Sequence, residues 1–408
     1  MLIKLVCYLS IVISPFISLS LAYASDSTTT KLRVALYPYV PNRLALFQKI
    51  EAIFESRNPN INLELVDNST WLWDYYSGGL QATKADVYEV DTILLSDLIE
   101  AGKIAEVKLP SAPFTKEAIE AVTRNGKVYG VPHWLCGNFL FYKKDDKEVK
   151  NASTWSELNN VLNSRNESIL VDFKGQSTLG EWYLTALSAT YGLGKSQQII
   201  MDANKLDQQG VDKLKQILKS CPPGYCRNDD LHDRAGYYSR AFMSGKASAY
   251  VGYSESIHYG IQYYMNNCTS TSGCLSVDNI AVRSLPSFSG STAIEGVGWV
   301  DALTIDASIP PHKKAIAKKF IAFMISDTAY KTVLEPEWGE APKYLIPAKK
   351  GVQLDKTPLY SAFYSAHSSR KTGTLPGLNN KLRQLGKKLD CALPIDRTDT
   401  ETLEKCSY

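Results

Sequence analysis

The stretch VPHWLCGNFLFYKK, Val131 to Lys144, sets one cysteine in an apolar, aromatic run. Cys136 has three fates to choose among there: a buried thiol, half of a disulfide, or a thiolate nucleophile. A nucleophile needs a base or a positive environment to ionise near neutral pH. His133 is nearest, but three residues away in an extended segment it points largely to the other face. His232, His258, His312 and His367 stand in no cysteine–histidine motif. A carboxylate can serve instead if burial raises its pKa towards that of the thiol. Glu255 in YVGYSES is the candidate, placed between a strand and a helix; the ordinary alternative is a carboxylate interacting with the helix dipole. Asp91, at the end of the apolar strand VYEVD, and Asp301, inside WVDAL, are costly in such surroundings unless paired or facing a cleft. Their ordinary alternatives are a helix N-cap for Asp91 and a backbone turn for Asp301. Acids facing a cleft suit a cationic or amine-bearing ligand. Tyr37, Tyr39, Trp71, Trp73, Tyr75, Tyr76, Tyr253 and Trp299 crowd the same segments, several beside prolines and glycines where a flat ring could stack.

These groups need a scaffold that brings distant segments together. Leu32–Leu36 predicts a strand, Leu44–Ser56 an amphipathic helix, Ile61–Val66 a strand, Asp86–Val90 a strand and Thr92–Ala101 a helix, a pattern of α/β type with a largely parallel sheet. Further on, Phe139–Tyr142, Ser168–Phe173, Ala247–Tyr253, Ile280–Leu285 and Val297–Ile305 read as strands. Thr154–Leu162, Leu179–Tyr191, Val211–Lys219, Arg234–Met243, Ser254–Met265 and Lys313–Leu334 read as helices. Two α/β lobes are expected: 25–135 with about 278–335, and 136–277 with about 336–408. The chain would cross between them near Cys136 and again after about Val277. Ligands in open α/β sheets sit at the carboxyl ends of strands, and Asp91, Cys136, Glu255 and Asp301 are each expected at or near such an end or crossover.

Met1–Ala24 carries one charge, Lys4, an apolar run and Ala22-Tyr23-Ala24, and reads as a secretory signal peptide; a retained anchor is the competing reading. The chain has 45 Lys and Arg against 42 Asp and Glu, with basic residues scattered, so it offers no electrostatic footprint for nucleic acid or an anionic membrane. Of the eight cysteines, Cys7 leaves with the signal peptide. Proximity pairs Cys221 with Cys226, Cys268 with Cys274 and Cys391 with Cys406, although six cysteines allow about fifteen connectivities. A zinc site built from the first four fits the spacings poorly. Cys136 is the odd thiol. Asn68, Asn151, Asn166 and Asn267 open glycosylation sequons that matter only in a eukaryotic host. No Walker motif, dinucleotide fingerprint or HExxH is present, so no cofactor and no metal are expected.

Taken together, ALYPYVP, EVDTILLSDLIEAG, NGKVYGVPHWLCGNFLFYKKDD, YVGYSES, WVDAL and PKYLIPA resemble bacterial thiamine pyridinylase, the type-I thiaminase, over most of the chain beyond Ala24. The resemblance implies a two-lobed periplasmic-binding-protein-like (type II) fold with a hinged cleft. It implies a secreted, monomeric transferase whose partners are thiamine and a small amine, pyridine or thiol. It puts the nucleophile on Cys136, the general base on Glu255, the aminopyrimidine-holding aspartates on Asp91 and Asp301, and the cleft tyrosines on Tyr37, Tyr39, Tyr76 and Tyr253. Trp299 stands where the family pattern has a tyrosine, and a further cleft tyrosine has only Tyr237 and Tyr238 near its place. The six paired cysteines look like an addition to the bacterial pattern. The alternative from another class is a solute-binding protein for thiamine or another small cation, which needs neither a free thiol nor a base.

Overall fold

The computed structural model describes residues 29–232, 234–269, 273–288, 297–352, 354, 359–367 and 375–393, so the expected signal peptide and Cys406 lie outside the described residues. Among the described residues there are twelve strands: β1 (Thr30–Ala35), β2 (Ile61–Leu65), β3 (Val87–Asp91), β4 (Thr123–Arg124), β5 (Lys127–Val128), β6 (Val131–Cys136), β7 (Asn138–Lys143), β8 (Ile169–Val171), β9 (Ala249–Tyr253), β10 (Ile280–Arg283), β11 (Trp299–Ile305) and β12 (Ile346–Pro347). They make a six-stranded sheet in the order β12-β6-β11-β3-β1-β2, a four-stranded sheet in the order β10-β7-β9-β8, and the small β4-β5 hairpin.

The first sheet is mixed, where a largely parallel one was expected. Strands β1, β2 and β3 pair in parallel, but β11 runs antiparallel to both β3 and β6. The reason is the path of the chain: β11 follows β10 of the second sheet and so enters the first sheet from the opposite direction to the strands that build it. Residues Val131 to Lys143 run from β6 in one sheet to β7 in the other across the single residue Gly137, so Cys136 lies where the chain changes sheets. The return falls later than Val277, because Ile280–Arg283 still pairs with β7, with Ile280 opposite Lys143. Ile346–Pro347 then comes back to the first sheet beside β6, inside a segment expected to belong with the second.

Local sequence explains the helical elements. The helix Trp155–Ser164 starts at Thr154, whose side chain accepts from the Glu157 backbone while Glu157 reaches back, a reciprocal cap. The single helix expected over Lys313–Leu334 is two, Pro311–Met324 and Asp327–Leu334. Ser326 makes the break: its hydroxyl accepts from the Ala329 amide at 3.2 Å and starts a new helix where a continuous one would have kept that amide for its own backbone. Helix Leu378–Ala392 packs on helix Gln176–Tyr191 at two glycines. A Cβ on Gly180 would stand 2.6 Å from the Leu382 carbonyl oxygen, and one on Gly386 would stand 2.1 Å from that of Gln176.

Those contacts are backbone to backbone and leave little room to adjust. Gly386→Ala is expected to cost about 1–3 kcal/mol, the usual range for overpacking a tight interface. Equilibrium urea unfolding measures it; a midpoint unchanged from the parent protein would show that the two helices separate without penalty.

Candidate active site

Insertion of β11 between β3 and β6 fixes the centre of the site. In register, Asp301 stands opposite Asp91 on one side, and Trp299 stands opposite Cys136 on the other. A register shift between Asp301 and Ala302 interrupts the pairing with β6 there, the kind of irregularity that re-aims a side chain. The Cys136 thiol donates to Asp301 Oδ2 at 3.2 Å. Asp91 divides its oxygens: Oδ1 accepts from the Ile93 amide at 2.9 Å, a turn bond rather than the helix N-cap that the sequence allowed, since the next helix begins after Leu94, and Oδ2 accepts from the Tyr76 hydroxyl at 2.9 Å. The Tyr76 hydroxyl also lies 3.0 Å from that of Tyr37. Asp91 and Asp301 are buried, whereas Cys136, Tyr37 and Tyr76 are half-buried.

Most of the expected residues therefore converge. Tyr39 sits at the edge, 47 % exposed, with its ring parallel to that of Tyr76 at 6.2 Å between centroids. Trp71 and Tyr75 pack behind as fully buried supports: the Trp71 indole donates to Leu36 O at 2.8 Å, and the Tyr75 hydroxyl accepts from the Asp91 amide at 2.7 Å. Tyr253 ends β9 of the second sheet, opposite Asn138 of β7, and Glu255 follows in the short 3-10 turn Ser254–Ser256. The Ser254 hydroxyl lies 3.3 Å from Glu255 Oε2. Tyr238 packs into the core rather than into this group, its hydroxyl donating to Tyr225 O at 3.0 Å.

The electrostatics are those of acids crowded away from water. Burial raises the Asp301 carboxyl well above the carboxylate range, and Asp91 and Glu89 push it further. Burial pushes Asp91 up to about 6, against the pull of its bonds from Ile93 and Tyr76. Glu255 is raised by burial too. The Cys136 thiol is raised well above its ordinary value, first by burial and then by the charges of Asp301, Glu255 and Asp91. The thiol thus rests protonated. A cation entering the site would relieve the acids and favour the thiolate together.

Sequence reasoning missed two carboxylates. Glu181 lies on helix Gln176–Tyr191 and accepts from the Tyr253 hydroxyl; the Trp299 side chain is a further hydrogen-bond partner. Burial pushes Glu181 up to about 8. The available signal was that Glu181 is the sole charge in that sixteen-residue helix. Glu89 bonds His133 Nδ1 at 2.5 Å and accepts from the Tyr37 amide at 2.9 Å, so the histidine nearest the cysteine in sequence serves a different group. Its signal was a glutamate inside an otherwise apolar strand end.

The cysteines sort as expected where they can be followed. Cys221–Cys226 and Cys268–Cys274 are disulfides, Cys391 is disulfide-bonded, and Cys136 is the free cysteine among the described residues. Iodoacetamide should therefore label native Cys136 slowly at neutral pH, with a rate still climbing past pH 9. Asp301→Asn, which removes a negative neighbour, should lower the thiol pKa and move that rise to lower pH; alkylation followed by mass spectrometry reads it. A rise at the same pH in both proteins would show that Asp301 does not act on the thiol.

Residues 49–367 match the family model described as bacterial extracellular solute-binding protein. In sequence the chain is similar to Thiaminase-1 of Paenibacillus thiaminolyticus, with 27 % identity over 384 residues, 86 % of this chain and 85 % of that one. In fold it is similar to Clostridium botulinum thiaminase I in complex with thiamin, at a TM-score of 0.72 and 21 % identity, covering 88 % of this chain and 98 % of the other. It is also similar to maltose-bound MalE3 of T. maritima, at a TM-score of 0.62 and 19 % identity, covering 92 % of this chain and 98 % of the other. The two-lobed, type II binding-protein fold with its inter-lobe cleft is common ground among them. With most of its length matched, this chain belongs to the bacterial extracellular solute-binding protein family.

Proposed function

We propose that this protein is a secreted, thiamine-degrading transferase that uses Cys136 as its nucleophile and Glu255 as the base. The observation that carries the reading is the free thiol of Cys136, hydrogen-bonded to a buried aspartate among tyrosines in an acid-lined site. Similarity to Thiaminase-1 supports the substrate. Thiamine joins an aminopyrimidine through a methylene to a cationic thiazolium, and acids with flat rings are what such a molecule needs.

In this mechanism Asp91 and Asp301 hold the amino group and the protonated ring, while Tyr37, Tyr39, Tyr76, Tyr253 and Trp299 enclose the pyrimidine. Glu255, whose raised pKa brings it closer to that of the thiol, takes the Cys136 proton. The sulfur forms a bond to pyrimidine C6, the ring's displaced electron pair forms an exocyclic C=C to the methylene carbon, and the pair of the methylene–thiazolium C–N bond leaves with the thiazole as a neutral molecule. An incoming amine, pyridine or thiol then attacks the exposed methylene. Electrons return through the ring, the C–S bond breaks, and the Cys136 thiolate recovers its proton from Glu255. Donors and acids already in place where charge changes lower the barrier without having to reorganise.

A second reading, uptake of thiamine or another small cation without chemistry, is favoured by the family match and by the likeness to a maltose-bound protein. Incubation of the purified protein with thiamine and aniline or pyridine separates the two, with thiazole release as the readout. Turnover is expected to fall on the order of a thousandfold in Cys136→Ser and roughly a hundredfold or more in Glu255→Gln. Release that persists in Cys136→Ser removes the nucleophile, and tight binding with no release by the unsubstituted protein establishes the transport reading.

A further inference from the structure

Beside the Cys136 centre lies a cavity of about 160 Å³ whose walls include Asn138, Thr178, Glu181, Gly252 and Tyr253, with Ala235 at its exposed rim. Two of those walls belong to the site already described. Tyr253 donates to Glu181, and Trp299, the cross-strand neighbour of Cys136, is the other side-chain partner of the same carboxylate. The cavity therefore shares the Tyr253–Glu181 pair with that site. Its volume matches the roughly 150 Å³ of an engineered cavity in another protein that takes up benzene. A single six-membered ring fits; thiamine, with two rings, does not.

Building on the thiamine-degrading reading, we infer that this cavity receives the incoming nucleophile, a single-ring aromatic amine or base, and that Glu181 accepts the proton released when that nucleophile carries an N–H. The balance is direct. The amine lone pair forms the N–C bond to the methylene, the electron pair of the ring's exocyclic C=C moves into the ring, and the C–S bond breaks with its electrons on Cys136. Cys136 recovers a proton from Glu255. The new ammonium then loses its N–H proton to the Glu181 carboxylate, which passes it to water. Pyridine has no N–H, and its product keeps the positive charge, so the second proton transfer does not arise. Burial pushes the Glu181 carboxyl up to about 8, so the accepting carboxylate prevails above that pH, and Tyr253, as a donor, leaves Glu181 in the accepting role.

The experiment compares aniline with pyridine as acceptors at saturating thiamine, following thiazole release. In Glu181→Gln the ratio of kcat/KM for aniline to that for pyridine is expected to fall at least tenfold, with Glu181→Asp recovering part of it. Ala235→Leu, which fills the cavity from its rim and does not touch the carboxylate, is expected to raise the acceptor KM at least fivefold more than the thiamine KM. An unchanged aniline-to-pyridine ratio in Glu181→Gln, whatever happens to the absolute rates, overturns the proton-acceptor role. Acceptor and thiamine KM moving together in Ala235→Leu overturns the cavity assignment. Failure of the unsubstituted protein to release thiazole with either acceptor is a distinct result, which removes the thiamine reading and this one with it.

Discussion

Strand β11 brings Asp301 alongside Asp91, and the two carboxyls are 1 % and 5 % exposed. An ionised carboxylate taken out of water costs several kcal/mol unless it is paired, and two neighbours cannot both ionise cheaply. What surrounds them is a set of neutral donors: the Tyr76 hydroxyl on Asp91 and the Cys136 thiol on Asp301. Such donors lessen the cost without removing it, which is why both carboxyls are pushed upward. The remaining means of relief is a proton or a visiting cation. The tyrosine cluster, the raised thiol and the depth of the site all follow from that unmet demand for positive charge.

The demand is shared across both sheets. Cys136, Asp91, Asp301 and Trp299 belong to the first, whereas Tyr253 and Glu255 come from or follow β9 of the second. Glu181 ties the halves together, since its partners Tyr253 and Trp299 lie on different sheets. Helix Gln176–Tyr191 holds this carboxylate in place because its neighbouring residue Gly180 lets helix Leu378–Ala392 approach to backbone distance. A C-terminal segment remote from the chemistry thus sets the position of a group at its edge. Motion of one sheet against the other would have to stretch or break Glu181's bond to Tyr253 or its bond to Trp299.

The strands and the central acids were legible in the sequence because their signals are local. An apolar run broken by one carboxylate, as in VYEVD and WVDAL, announces a group that must face something. Cys136 stood out by cysteine arithmetic, and its neighbour Gly137 is where the chain changes sheets. Other features were hidden because they depend on three-dimensional neighbours. The antiparallel entry of β11 follows from which sheet precedes it, and no residue in WVDALTI states its direction. Likewise Glu181 lies 72 positions from Tyr253, and nothing in GEWYL names its partners. The break at Ser326 was masked by apolar spacing that continues through it, although a serine followed by Asp327 was a visible cap.

A binding protein and a transferase can share this fold, so the distinction rests on what each atom contributes. Holding a cation calls for charge and flat surface, which Asp91, Asp301 and the tyrosines supply. Sulfur at position 136 adds little to cation binding, because a thiol is a weak donor and a serine hydroxyl would hold Asp301 more strongly. A free thiol in an oxidising compartment is also open to oxidation, a liability that a purely structural or binding position has no use for. Burial and three neighbouring carboxyls keep that thiol protonated while the site is empty, the state least exposed to oxidation, and a cationic ligand reverses the bias. A thiol shielded until a positively charged molecule arrives is of no advantage in binding, whereas the proposed role of Cys136 as nucleophile for a cationic substrate calls for that arrangement.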